Sequence, residues 1–168
     1  MSRALAGDTA AFGALVRDQQ RSVYSLALRM LADRQKAEDL AQEVFLRLYR
    51  NLSSVVSIAH LSFWLRKVTL HGAIDRLRRD KRHEAVPLEE ADGVASDSVD
   101  ADPLLERRLR ILLQQLPPAP RAVLLLRYQE DLEPTEIART LSMSINTVKS
   151  HLKRSLAMLR ECIGETVQ

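Results

Sequence analysis

The side chains with the most to offer chemically fall into three helical stripes. Trp64, Lys67, His71 and Arg78 recur at +3, +7 and +14, which places them on one face of a helix. Arg66, Arg76, Arg79, Lys81 and Arg82 crowd the same stretch. An indole beside guanidinium and ammonium groups suits nucleic acid: the cations neutralise phosphates, and the ring stacks on or wedges against an unpaired base. The competing reading is a core tryptophan followed by a basic run that ends a helix favourably. A second set, Asn146, Thr147, Lys149, Ser150, Lys153 and Arg154, places amides and hydroxyls near the start of a helix, where they can read base edges, and adds cations for flanking phosphates. The third set is Asp39, Gln42, Glu43, Leu46 and Arg50. It is either a solvated face or a docking surface for a partner helix, with Leu46 as the apolar contact.

Catalysis finds no comparable support. No paired carboxylates stand in a metal-binding arrangement, and His60, His71, His83 and His151 are scattered. A lone Cys162 excludes a disulfide framework within the monomer and any all-cysteine zinc site. A binding protein without metal or cofactor is expected, not an enzyme.

These stripes need helices to carry them. Asp8 is a plausible cap for a first helix whose apolar stripe is Phe12, Leu15, Val16, Val23, Leu26, Ala27 and Met30. Asp33 caps a second, with Ala37, Leu40, Ala41, Val44, Phe45 and Leu48 inward. Residues 51–60 break the period and read as a loop. A third helix over 61–83 turns Leu61, Leu65, Val68, Ala73, Ile74 and Leu77 inward. Further on, 104–116 forms an amphipathic helix stopped by Pro117-Pro118, and the strongly apolar 119–129 forms the buried one. Pro134 suits the first turn of a helix over 134–141. A break at 142–144 then precedes a helix over 145–160. Ile137, Ala138, Leu141, Met143, Val148 and Leu152 have the spacing of a helix-turn-helix.

Charge divides the chain. Of 168 residues, 1–83 carry net +7, 84–103 net −7 with no basic residue, and 104–168 net +3. The acidic segment, with Pro87, Gly93 and Pro103, cannot bury enough surface to fold alone. The expectation is an all-α protein: two small helical domains, 1–83 and 104–168, joined by a flexible acidic linker, 84–103. Five glycines and 4% aromatics argue against a β-sandwich or a Rossmann-type phosphate binder. No apolar run approaches the ~18 residues of a membrane span. The start, MSRALAGDTAAF, lacks the apolar core of a signal peptide, so a cytoplasmic protein without membrane insertion is expected.

Both halves resemble one family, the extracytoplasmic-function (ECF) sigma factors of bacterial RNA polymerase. AEDLAQEVFLRLY (37–49) is similar to the family's region 2 helix that docks on the polymerase clamp helices. WLRKVTLHGAIDRLRR (64–79) is similar to the segment that melts and reads the minus-10 element, and 116–160 to region 4, which reads the minus-35 element. The resemblance implies a specificity subunit that binds core RNA polymerase and promoter DNA and is held in check by an anti-sigma factor. Asp39, Gln42, Glu43 and Leu46 would meet polymerase. Trp64, Lys67, His71, Arg76, Arg78 and Arg79 would face the opened minus-10 strand, with extruded bases captured near 51–60. Asn146, Thr147, Lys149, Ser150, Lys153 and Arg154 would meet the minus-35 duplex. The linker, fully extended, reaches about 66–72 Å, or about 20 base pairs. His71 stands where the family usually has asparagine, and Ser142 replaces a common glycine of the turn. TVKSH (147–151) is also similar to LuxR-type regulators, so a stand-alone helix-turn-helix regulator is the alternative, although such a regulator would carry no AEDLAQEVF segment.

Overall fold

A computed structural model describes residues 9–83 and 103–164, and these are helical with short connections. The chain divides into two compact units, Met1–Leu77 and Arg78–Gln168. Asp8 and the acidic segment 84–102 lie outside the described residues.

The first unit contains α1 (Thr9–Leu31), α2 (Arg34–Arg50), a 3₁₀ turn (Leu52–Ser54) and α3 (Ile58–His83) as far as Leu77, the last turns of α3 falling past the boundary. Two residues join α1 to α2. Ala32 takes a left-handed conformation (φ 56°), and Asp33 then caps α2, its carboxylate accepting from the Lys36 amide at 3.0 Å. So short a connection sets the two helices side by side. Val23, Leu26, Ala27 and Met30 of α1 are buried, as are Ala37, Leu40, Val44 and Leu48 of α2.

In the packing of this unit's helices the structure corrects the sequence expectation at several points. Residues 51–60 are not simply a loop. Asn51 caps α2 through its side-chain amide on the Arg47 carbonyl (2.8 Å), and Leu52–Ser54 make a 3₁₀ turn. The Ser57 hydroxyl accepts from the His60 amide at 3.0 Å, and α3 begins at Ile58. Leu52 and Val55 are buried in this stretch. On α3, Thr69 and Leu70 are buried while Val68 and Leu77 are only half-buried. The inward surface is two adjacent rows, Leu61/Leu65/Thr69/Ala73 and Leu70/Ile74, and such a wide arc accommodates two neighbouring helices. The Thr69 hydroxyl donates to the Leu65 carbonyl at 2.7 Å, which satisfies it in the core. Phe12, Leu15, Val16, Ala41 and Phe45 are likewise half-buried, and an open groove between α1 and α2 runs beside all of them but Leu15.

The second unit contains α4 (Pro103–Gln115), α5 (Pro118–Tyr128), α6 (Pro134–Leu141) and α7 (Ile145–Gly164). Pro103, assigned to the linker by composition, is instead the first residue of α4, a position where the missing amide costs nothing. Helix α5 is buried at every residue from Arg121 to Leu126, as its composition predicts. Leu116, Leu124 and Leu159 form a cluster packed by Leu112, Leu113, Leu152, Leu156 and Met158. Arg121 sits inside at 4% exposure and donates to the carbonyls of Gln114 and Leu116 at the end of α4. Burial lowers its pKa. At the other end of α5, Arg127 holds the turn to α6 by donating to the Leu132 carbonyl (3.2 Å) and the Glu133 carboxylate (3.1 Å). Glu133 and Glu136 then make a reciprocal capping box on α6.

Candidate docking and nucleic-acid interfaces

Helices α6 and α7 form the helix-turn-helix. Ser142 ends α6 in the left-handed region (φ 54°, ψ 46°), and the Met143 amide reaches back to the Ala138 carbonyl at 2.9 Å. This is the arrangement glycine favours, here taken by serine. Ser144 starts α7: its hydroxyl accepts from the Thr147 amide at 3.1 Å and pairs with the Thr147 hydroxyl at 2.8 Å. Ile137, Ala138, Leu141 and Val148 are buried between the two helices, with Met143 and Leu152 half-buried. On the outer face of α7, Asn146, Thr147, Lys149, Lys153 and Arg154 are exposed and Ser150 is half-buried. All six share one side of the helix. His151 lies behind them, and burial together with the nearby Arg154 lowers its pKa.

On α3, Trp64, Lys67 and His71 are half-buried and Arg78 and Arg79 exposed, while the side chain of Arg82 lies outside the described residues. The stripe is thus a partly recessed apolar-cationic face. Arg76 does not join it. At 100° per residue it lies about 140° round the helix from His71, and its guanidinium donates to Glu43 Oε2 of α2 at 2.6 Å and to the Gly72 carbonyl at 3.3 Å. Arg47 takes the other Glu43 oxygen. These cations, the Arg76 hydrogen bond foremost, hold the Glu43 carboxyl below the usual glutamate range against the opposing effect of burial.

Of the α2 stripe, Asp39 and Gln42 are exposed and Leu46 is 58% exposed. Gln42 and Leu46 border the open α1/α2 groove, about 1030 Å³, with Phe12, Val16, Phe45 and Tyr49. Phe12 and Tyr49 meet edge-on with ring centroids 5.2 Å apart. The sequence reading missed two features. Tyr49 was passed over because it falls outside both the core period and the polar stripe. Val56 and Ile58, 82% and 69% exposed, escaped notice because the surrounding serines read as a plain loop. Among the described residues no group of histidine, cysteine and carboxylate side chains is arranged to hold a metal, and no helix is long and apolar enough to cross a membrane.

A helical unit with an open apolar groove, and a second built on a helix-turn-helix, define a two-part helical protein of the DNA-binding helix-turn-helix class. Residues 15–83 match the family model for Sigma-70 region 2, and residues 106–159 match that for Sigma-70 region 4. The chain is 30% identical to the ECF RNA polymerase sigma factor SigW of Bacillus subtilis, across 92% of this chain and 90% of SigW. It is 30% identical to the ECF sigma factor SigM of Mycobacterium tuberculosis, across 95% of this chain and 81% of SigM. The sigma factor RpoE of Bartonella quintana, solved with the anti-sigma factor NepR, shares the fold, with a TM-score of 0.75 at 18% identity over 92% of this chain and 97% of that one. The chain belongs to the ECF sigma factors of RNA polymerase.

Proposed function

We propose that this protein is a dissociable specificity subunit that binds core RNA polymerase and directs initiation at promoters carrying its own minus-10 and minus-35 elements. The observation that carries the reading is the pairing, in one chain, of a region 2 match over 15–83 with a region 4 match over 106–159. The exposed Asp39, Gln42 and Leu46 form the polymerase contact on α2. Trp64, Lys67, His71, Arg78 and Arg79 face the opened minus-10 strand. Extruding a base costs a few kcal/mol, and stacking returns roughly 1–3 kcal/mol per base, so the balance is close and a good promoter is required. Asn146, Thr147, Lys149, Ser150, Lys153 and Arg154 dock on the minus-35 duplex, with the amide and hydroxyls toward base edges and the cations toward phosphates. The protein acts by binding and supplies no catalytic group; bond formation belongs to the polymerase.

An anti-sigma factor covers these surfaces in the resting state, by analogy with the RpoE–NepR complex. The test is transcription in vitro with purified core polymerase on a promoter library. Initiation confined to a set of sequences sharing two spaced elements supports the reading. Specific binding to intact duplex without polymerase, and no new transcripts with it, would mean a stand-alone regulator instead.

A further inference from the structure

Arg76 belongs by composition to the basic run of α3, and Glu43 by spacing to the polar stripe of α2. Each has its charge turned on the other. The Arg76 side chain keeps only 20% of its surface exposed and the Glu43 side chain 39%. Arg76 is held at both ends of its fork, by Glu43 Oε2 at 2.6 Å and by the Gly72 carbonyl at 3.3 Å. A guanidinium turned onto a carboxylate, on a side chain only 20% exposed, is poorly placed to meet a phosphate. One helical turn away, on the same faces, Gly72 meets Leu40. A Cβ at Gly72 would stand 2.7 Å from Leu40 Cδ1, so the two helices touch there with no spare space. Two contacts one turn apart, one steric and one ionic, fix both the separation and the crossing of α2 and α3.

We propose that Glu43 and Arg76 are a positioning pair that locks the polymerase-docking helix α2 to the strand-facing helix α3, and that Arg76 makes no DNA contact. The pair is the link by which the docking face and the strand-facing face keep one register. It rests on the function proposed above. Arg47, on the second Glu43 oxygen, holds the carboxylate toward α3 from its own helix.

The test uses the full chain assembled with core polymerase. In Arg76→Gln the salt dependence of promoter binding stays as in the unsubstituted protein, whereas Arg78→Gln flattens the slope by about one unit, the loss of one phosphate contact. A slope flattened by about one unit in Arg76→Gln overturns the proposal. Glu43→Arg and Arg76→Glu each slow promoter opening, and the double reversal opens promoters at least about threefold faster than either single variant, a pairwise coupling of ordinary size. Recovery is partial because Arg47 remains beside position 43. A double reversal no faster than the slower single variant also overturns it. Denaturant unfolding of the free chain supplies the same cycle with the milder Glu43→Gln and Arg76→Gln. If the unsubstituted holoenzyme opened no promoter, the functional reading would fail, and the pair would stand or fall on this cycle alone: coupling indistinguishable from zero refutes it.

Discussion

Ser142 shows what a single residue decides. In the left-handed region its Cβ costs roughly 1–2 kcal/mol that a glycine would not pay, partly offset by glycine's greater freedom when unfolded. Ser142→Gly is therefore expected to stabilise the second unit by about 0.5–1 kcal/mol; thermal unfolding should show a Tm raised by a few degrees, and an unchanged or lower Tm would contradict the strain. The position was legible in the sequence because the break after Leu141 demanded a turn. Arg76 was legible only as a cation. Its partner stands 33 residues away, and helical spacing says nothing about which side chain a neighbouring helix offers. The Glu43 carboxyl is more acidic in the folded chain than unfolded, so unfolding takes up a proton at acid pH. Its contribution is complete above the ordinary glutamate value of 4.5 and disappears as the pH falls through the lower folded value. Glu43→Gln should accordingly lose less stability than the unsubstituted protein on acidification from pH 5 to about pH 3, as followed by denaturant titration.

Among the elements, α6 and the start of α7 were readable because every local signal agreed: Pro134 in the first turn, a clear apolar period, and a break at 142–144. The start of α3 was not, since its cap, Ser57, sits in a serine-rich stretch with no apolar rhythm and helical order begins three residues before the first inward leucine. The close approach at Gly72 was also invisible, because a helical glycine looks the same whether it faces solvent or another helix. Gly72→Ala gains about 1 kcal/mol of helix propensity but drives its methyl into Leu40, which is 1% exposed and has nowhere to go. Net destabilisation of about 1–2 kcal/mol is expected. In a Leu40→Val background, which removes the clashing atom, the same substitution should become neutral or stabilising; a denaturant series on the four proteins decides it. On α7, Lys149→Ala with Arg154→Ala should flatten the salt dependence of minus-35 binding by about two units while leaving the fold intact by circular dichroism.

The two-part division was the most legible feature of the whole molecule, since the sign of the charge changes twice along the chain and the chain does fall into two compact units, although they part at Leu77 and Arg78, ahead of the acidic segment. The open groove between α1 and α2 was less so. Half-buried Phe12 and Phe45 fit a core period as well as a true core would, and only the packing reveals that, among the described residues, no third helix covers them. Replacing Asp39 and Gln42 together by lysine leaves the Glu43–Arg76 pair untouched and should abolish co-purification with core polymerase. Retention of holoenzyme at ordinary yield would place the contact elsewhere.

The guanidinium of Arg121 gathers two backbone carbonyls from the end of α4 in the dry middle of its unit. One nitrogen, Nη2, serves both oxygens, and an apolar side chain in its place would leave the two carbonyls buried without a donor. A fault at this one spot would let α4 peel away and bare the leucines beneath it, turning the chain into prey for the proteases that patrol for sticky surfaces.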